Sequence, residues 1–173
     1  GAGWMREEFD QLEQPFARRG ARMEEQIEVL RTLWGGGMVE HHGEFYDFDR
    51  LEMAPAPSEQ VPILVGGHSE RALRRAADIG DGWIGVLYSR DELKGYVARL
   101  QELREEAGTA DRPFEVQAAI DDALPHPSVC DELEEMGVDM LITSAWILQG
   151  HTDGTLAQNK SALDEFAERY IKR

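Results

Sequence analysis

Residues 61–83 read VPILVGGHSERALRRAADIGDGW. Val61–Val65 (VPILV) is a short apolar run of the kind that forms a buried strand. Gly66-Gly67 breaks it, and Ser69 stands where a helix needs a side-chain acceptor for its first free N–H groups. Glu70–Ile79 then carries small and apolar residues at helical spacing, and Gly80 closes it. A second apolar run, Trp83–Leu87, follows at once. Strand, glycine turn, helix, strand is a β-α-β unit, whose strands run parallel and are covered by helices.

The same rhythm continues toward the C-terminus. Ser89 with Glu92 forms a capping box that opens a long helix to about Ala107, and Gly108 ends it. Phe114–Ile120 reads as a third strand, Pro127–Met136 as a helix stopped by Gly137, Val138–Ser144 as a fourth strand, and Leu156–Ile171 as a last helix. Four β-α units in succession define an α/β fold.

Residues 1–60 differ. Gly1-Ala2-Gly3-Trp4 is a glycine-rich turn before a helix at Met5–Leu12. Arg18–Trp34 presents a helical stripe of Met23, Ile27, Leu30 and Trp34. Gly35-Gly36-Gly37 stops it. Met38–Glu52, with Val39, Phe45, Tyr46 and Phe48, reads as a small β-hairpin turning near Gly43, and Pro55–Pro62 as an extended linker. The chain starts at Gly1 without a methionine, directly in a glycine turn, which points to a segment lost upstream.

The 173 residues are enough for one domain with a real core, and 42% hydrophobic with 30% charged residues is ordinary for a water-soluble protein. A formal charge of −16 argues against nucleic acid and anionic membranes as partners. The acidic residues cluster on helical stretches such as Glu24–Glu28 and Asp131–Glu135, as solvated helix faces do. No apolar run approaches the roughly 20 residues of a membrane span, and no signal-peptide pattern opens the chain. A lone Cys130 fits a reducing, cytoplasmic setting and reads as a small residue packed on a helix.

Chemistry concentrates at Gly66-Gly67-His68-Ser69. Glycines let a backbone approach a ligand closely, and the free amides at a helix start hold phosphate well. In a parallel barrel such a turn lies on the face where active sites form. A plain βα turn with a serine cap explains the same residues, and the Glu70 carboxylate opposes an anion, so spacing alone leaves both readings open. His41-His42 point to opposite faces of a strand and no cysteine or carboxylate cluster joins them, so no metal site is expected. Trp83 and Trp146 read as core, and Asp81 as a turn residue. No nucleophile elbow, P-loop or Rossmann glycine pattern occurs.

Taken in order, GAGWMREEF, RRGARMEEQIEVLRTLW, HGEFYDFD, the proline-rich linker and VPILVGGHSERALRRAADIGDGW are very similar to the luciferase-like monooxygenase superfamily, and most to its coenzyme F420-using branch. The similarity is continuous from Gly1 to about Trp83, and beyond it the β-α rhythm carries it. The resemblance implies a (β/α)8 TIM barrel with a hairpin inserted before its fifth strand, here an incomplete barrel: residues 1–60 supply the post-strand-4 helices and hairpin, residues 61–173 units 5–8, all in one domain. It implies that Gly66, Gly67, His68 and Ser69 bind the cofactor phosphate, that Ala2 and Trp4 lie along the cofactor, that Glu7 reaches it, and that Arg22 lies near the phosphate. It implies coenzyme F420, or alternatively FMN, a small organic substrate, and a homodimer. Family residues at the ring and the substrate come largely from strands one to four, so no catalytic residue is assigned.

Overall fold

The computed structural model describes residues 1–121, 128–148 and 153–171. Helices α1 (Arg6–Gln11) and α2 (Arg19–Trp34) lead to a hairpin of β1 (Met38–His42) and β2 (Asp47–Glu52). β3 (Leu64–Gly66), α3 (Glu70–Ile79), β4 (Gly82–Tyr88), α4 (Arg90–Ala107) and β5 (Glu115–Ile120) follow. The chain continues through α5 (Ser128–Met136), β6 (Met140–Leu141), α6 (Ala145–Leu148) and α7 (Leu156–Tyr170). Among the described residues β3, β4, β5 and β6 form one sheet in that order, every pairing parallel.

The helix boundaries follow the chemistry of their ends. Ser69 Oγ accepts from Ala72 N at α3. The Ser89–Glu92 capping box closes both ways at α4, and Gly108 ends that helix at φ 67°. Thr155 and Gln158 make a second capping box at α7. α3 buries Ala72, Leu73, Ala76 and Ala77, and α4 buries Leu93, Val97, Leu100 and Leu103, all on one side of the sheet over Val65, Trp83, Val116 and Ala118. Each fully buried Leu or Val here contributes about 1.5–3 kcal/mol.

Among the described residues no helix buries the opposite face of the sheet, which is half-buried to exposed. Its paired row runs Gly66, Ile84, Gln117, Met140, and Val86 and Met140 are 54% and 48% exposed.

Three strands are shorter than the sequence predicts, β5 by one residue at Phe114 and two by more. β3 begins at Leu64 rather than Val61. Pro62 has no N–H to give a ladder, and Ile63 exchanges its bonds with Asp81: Ile63 N donates to Asp81 Oδ2 and Asp81 N donates to Ile63 O, both 2.9 Å. Asp81 Oδ2 also receives Arg31 Nη2 at 2.9 Å, so it ties α2 to the start of the sheet instead of only serving a turn. Asp139 repeats the device, taking Val116 N at 2.7 Å. β6 spans Met140–Leu141 within the expected Val138–Ser144, because it pairs with β5 alone. Trp146, expected in the core, falls on the short helix α6 and is half-buried. The expected start of α5 at Pro127 lies outside the described residues.

The hairpin is fastened to α2 by one carboxylate. Glu25 accepts the backbone N–H groups of Glu44, Phe45 and Tyr46 at 2.7–3.1 Å and meets His41 Nε2 at 3.3 Å. Burial alone would push the Glu25 carboxyl up, but the N–H groups of Tyr46 and Phe45, then His41 and Glu44, outweigh it and hold it below its ordinary range. His42 faces away from His41 and pairs with Asp47 at 2.6 Å, which raises its pKa.

Candidate functional site

The turn between β3 and α3 is held from beneath by β4. The Trp83 side chain is fully buried and its indole Nε1 donates to the Gly67 carbonyl at 2.8 Å. Gly85 makes room for that indole, since a Cβ there would lie 2.2 Å from Trp83 Cη2. His68 is fixed at its ring, with Nδ1 3.0 Å from Tyr88 Oη and edge-on contact to the same ring. Burial, with Tyr96 and Glu92, raises the Tyr88 phenol above its ordinary value, so it stays protonated and able to donate. Gly67 takes φ 117°, which an L side chain rarely adopts.

So held, the turn leaves its donors unused. Among the described residues no hydrogen bond engages the backbone N–H of Gly67, His68, Ser69, Glu70 or Arg71. They form the start of α3, the positive end of its dipole. Ser69 Oγ accepts from Ala72 N at 3.3 Å, and its own hydrogen remains free to donate, so cap and anion contact are compatible roles for one hydroxyl. The Glu70 carboxylate is neutralised by two guanidinium groups, Arg99 at 2.7 Å and Arg74 at 3.2 Å, and the Arg99 hydrogen bond lowers its pKa. Its charge no longer opposes an anion at the turn.

A cavity of about 660 Å³ opens over these groups. Its walls bring together Ala2 and Trp4 from the N-terminal turn and Gly66, Gly67, His68 and Ser69 from the β3–α3 turn. Arg19 ties the start of α2 to the N-terminal turn, its Nε donating to Gly3 O at 2.9 Å. Trp4 is 79% exposed beside the cavity. Glu7 and Arg22 are not among the lining residues; Arg22 Nη1 reaches Gln14 Oε1 at 3.3 Å and its guanidinium lies over Phe9.

The cations at the cavity are instead Arg18, Arg19, Arg71 and Arg75. Arg18 is bound to Glu44 and Arg75 to Glu24. Arg71 stands exposed on the first turn of α3 with no ion pair among the described residues. Sequence reading passed over it. The signal was present, an arginine two positions after the capping serine, but its freedom emerges only once Arg74 and Arg75 find Glu106 and Glu24 in three dimensions.

Free amides at a helix start, a free hydroxyl and an unpaired guanidinium suit a dianionic phosphate, and the adjoining exposed tryptophan suits a planar or apolar group attached to it. The family model for luciferase-like monooxygenases matches residues 1–170, and the chain belongs to that family. An uncharacterized protein of Mycobacterium tuberculosis is 40% identical over 169 residues, 96% of this chain and 58% of its own length. The pyrimidine monooxygenase RutA of Allorhizobium ampelinum is 29% identical over 148 residues, 80% of this chain and 40% of its own. The chain therefore spans somewhat more than half the length of the mycobacterial relative.

Among solved structures, an F420-dependent secondary alcohol dehydrogenase holding an F420–acetone adduct matches 88% of this chain and 48% of that one, at TM-score 0.53 and 20% identity. The monooxygenase RslO1 of Streptomyces bottropensis matches 97% and 56%, at TM-score 0.55 and 20% identity. At that identity the likeness concerns the fold. Among the described residues no helix is long and apolar enough to cross a membrane.

Proposed function

We propose that this chain is the cofactor-anchoring C-terminal part of a flavin- or deazaflavin-dependent oxidoreductase, with the β3–α3 turn as the phosphate seat. The observation that carries the reading is that the N–H groups of Gly67–Arg71 have no hydrogen-bond partner among the described residues, at a turn whose Gly67, His68, Ser69 and Arg71 line one cavity. A bound flavin or deazaflavin supplies the hydride or oxygen chemistry on a small organic substrate. The chain's own residues bind and orient it: Gly67 to Arg71 through backbone donors, Ser69 by its hydroxyl, Arg71 by charge, Ala2 and Trp4 along its length. The F420-dependent structural neighbours favour coenzyme F420, and the likeness to RutA keeps FMN open. Cytoplasmic placement and a homodimer belong to the same reading.

A visible-absorption titration with FMN and, separately, coenzyme F420 tests it. Saturable binding of one, competed by inorganic phosphate, is expected. Binding of neither by the folded chain refutes the phosphate seat.

The row Gly66, Ile84, Gln117, Met140, which no described helix buries, favours a second reading for the chain alone, a non-catalytic half-barrel that closes on a copy of itself or on a first half like that of its longer relatives. Light scattering decides it: a monomer at low concentration counts against self-closure.

A further inference from the structure

β4 carries one residue more than its neighbour. It pairs with β5 in step from Gly82 with Glu115 to Val86 with Ala119, and then Tyr88 pairs with Ile120, which leaves Leu87 as the extra residue of a bulge. Leu87 sits at φ 60°, a left-handed backbone that glycine or asparagine takes more readily than leucine.

The bulge decides which face Tyr88 joins. Under strict alternation Tyr88 would follow Ile84 and Val86 on the face that no described helix buries. The extra residue turns it to the Trp83 side, beside Ile120 of the core. There its ring stacks on the Trp83 indole at 6.1 Å and meets the Tyr96 ring edge-on at 4.9 Å. Its hydroxyl lies 3.0 Å from His68 Nδ1, the one hydrogen-bond partner that the hydroxyl has among the described residues.

That contact selects a tautomer. A neutral imidazole carries one hydrogen, and its other ring nitrogen only accepts. The Tyr88 phenol stays protonated, because burial first, then Tyr96 and Glu92, raise its pKa above the ordinary value. A hydrogen on Nδ1 would leave the half-buried phenol hydrogen without an acceptor among the described residues, which is unfavourable. With Nδ1 accepting, the phenol is satisfied and the imidazole hydrogen falls on Nε2. Glu92 does not compete for the imidazole, since Ser89 N and Ser89 Oγ engage its carboxylate at 3.0 and 2.7 Å. His68 Nε2 has no partner among the described residues, and His68 lines the same cavity as Gly66, Gly67 and Ser69.

We propose that Tyr88 is a positioning residue of the phosphate seat: its hydroxyl donates to His68 Nδ1, fixes the imidazole with its hydrogen on Nε2, and so makes Nε2–H a side-chain donor to the phosphate. The proposal rests on the cofactor reading above. It also gives the bulge at Leu87 a role, since the extra residue is what brings the hydroxyl to the imidazole.

Inorganic phosphate is the probe, because it carries the recognised group without a ring. Long-range proton–nitrogen correlation spectra at about pH 8, above the range in which imidazoles ordinarily titrate, read the tautomer. The His68 signals are assigned by their loss in His68→Gln. Wild type is expected to show the Nε2–H form, with the Nε2 signal moving as phosphate is added. Tyr88→Phe keeps the stacked ring, so its circular dichroism should match wild type while the two tautomers mix and phosphate affinity falls about ten-fold. His68→Gln puts an amide N–H where Nε2–H stood, so it should keep most of the affinity, and adding Tyr88→Phe to it should cost little more. An Nδ1–H imidazole in wild type, or wild-type affinity in Tyr88→Phe, overturns the proposal with the phosphate seat intact. Equal losses from Tyr88→Phe in the wild-type and His68→Gln backgrounds also overturn it, since a merely structural tyrosine behaves that way. Absence of phosphate binding by wild type removes the seat and this inference with it.

Discussion

Replacing Trp83 by phenylalanine removes one hydrogen-bond donor and part of one ring from the middle of the molecule. The indole Nε1 that now meets the Gly67 carbonyl at 2.8 Å disappears, and the carbonyl is left without that partner. An unsatisfied buried acceptor costs about 1–3 kcal/mol. The smaller ring also vacates space in a fully buried site, worth about 1 kcal/mol more for the atoms lost. The sum, about 2–4 kcal/mol, lowers Tm by roughly 4–16 °C at the 2–4 °C per kcal/mol usual for a chain of this size. Differential scanning calorimetry measures it. The geometry makes a sharper demand as well. A methyl group at position 85 would strike the Trp83 ring, 2.2 Å from Cη2. Gly85→Ala should therefore be strongly destabilising in wild type and much milder beside Trp83→Phe, a non-additivity that a double-mutant cycle reads directly. If Gly85→Ala costs the same in both backgrounds, or if Trp83→Phe shifts Tm by less than 2 °C, the clamp described here is wrong.

Three other substitutions probe separate parts of the molecule. Ser69→Ala should cost about 1 kcal/mol of stability as a lost cap and weaken FMN by a further 1–2 kcal/mol, with riboflavin unaffected; equal FMN affinity by titration removes Ser69 from the site. Arg71→Ala should weaken phosphate-bearing ligands and flatten the salt dependence of their binding, whereas Arg22→Ala should leave both unchanged; the reverse result restores Arg22 as the phosphate arginine. The Glu25 carboxyl is held below its ordinary value of 4.5, so its contribution is present above that value and is lost as pH falls through the folded one. Unfolding profiles should show stability dropping on acidification below about pH 4.5, and Glu25→Gln should be less stable at neutral pH and flatter in acid. Parallel profiles for the two proteins refute the hairpin lock.

Much of the fold was legible because local chemistry decides it. Ser69, the Ser89–Glu92 box, Gly108 and Gly137 mark helix ends through their own hydrogen bonds and dihedral freedom, with no distant partner needed. The hairpin between Met38 and Glu52 was equally plain, and its turn runs from Gly43 to Tyr46, closed by Gly43 N to Tyr46 O at 2.9 Å. Less legible was whatever depends on what stands opposite. β6 has a neighbour on one side and so realises two residues of a seven-residue apolar run. Asp81 reads locally as a turn residue, and only the fold brings Ile63 and Arg31 to it. The site divides the same way. The glycine turn and its serine stand out in the sequence, and the fold brings the N-terminal Ala2 and Trp4 to the same cavity. Which arginines stand there without a carboxylate partner among the described residues, Arg71 and Arg19, emerges only once Arg18 and Arg75 are paired with Glu44 and Glu24.

The deepest dependence is between two stretches that look unrelated in sequence, GGHS at 66–69 and GWIGVLY at 82–88. β4 supplies the indole that holds the Gly67 carbonyl, the glycine that accommodates that indole, and, through the bulge at Leu87, the tyrosine that holds His68. Each contact fixes a group of the turn, a carbonyl and an imidazole, while the N–H groups of the same residues keep no partner among the described residues. A βα turn capped by serine alone would satisfy the helix and stop there. Here the neighbouring strand is shaped around the turn's back, with a leucine at positive φ, and the phosphate seat proposed above would give that arrangement a use.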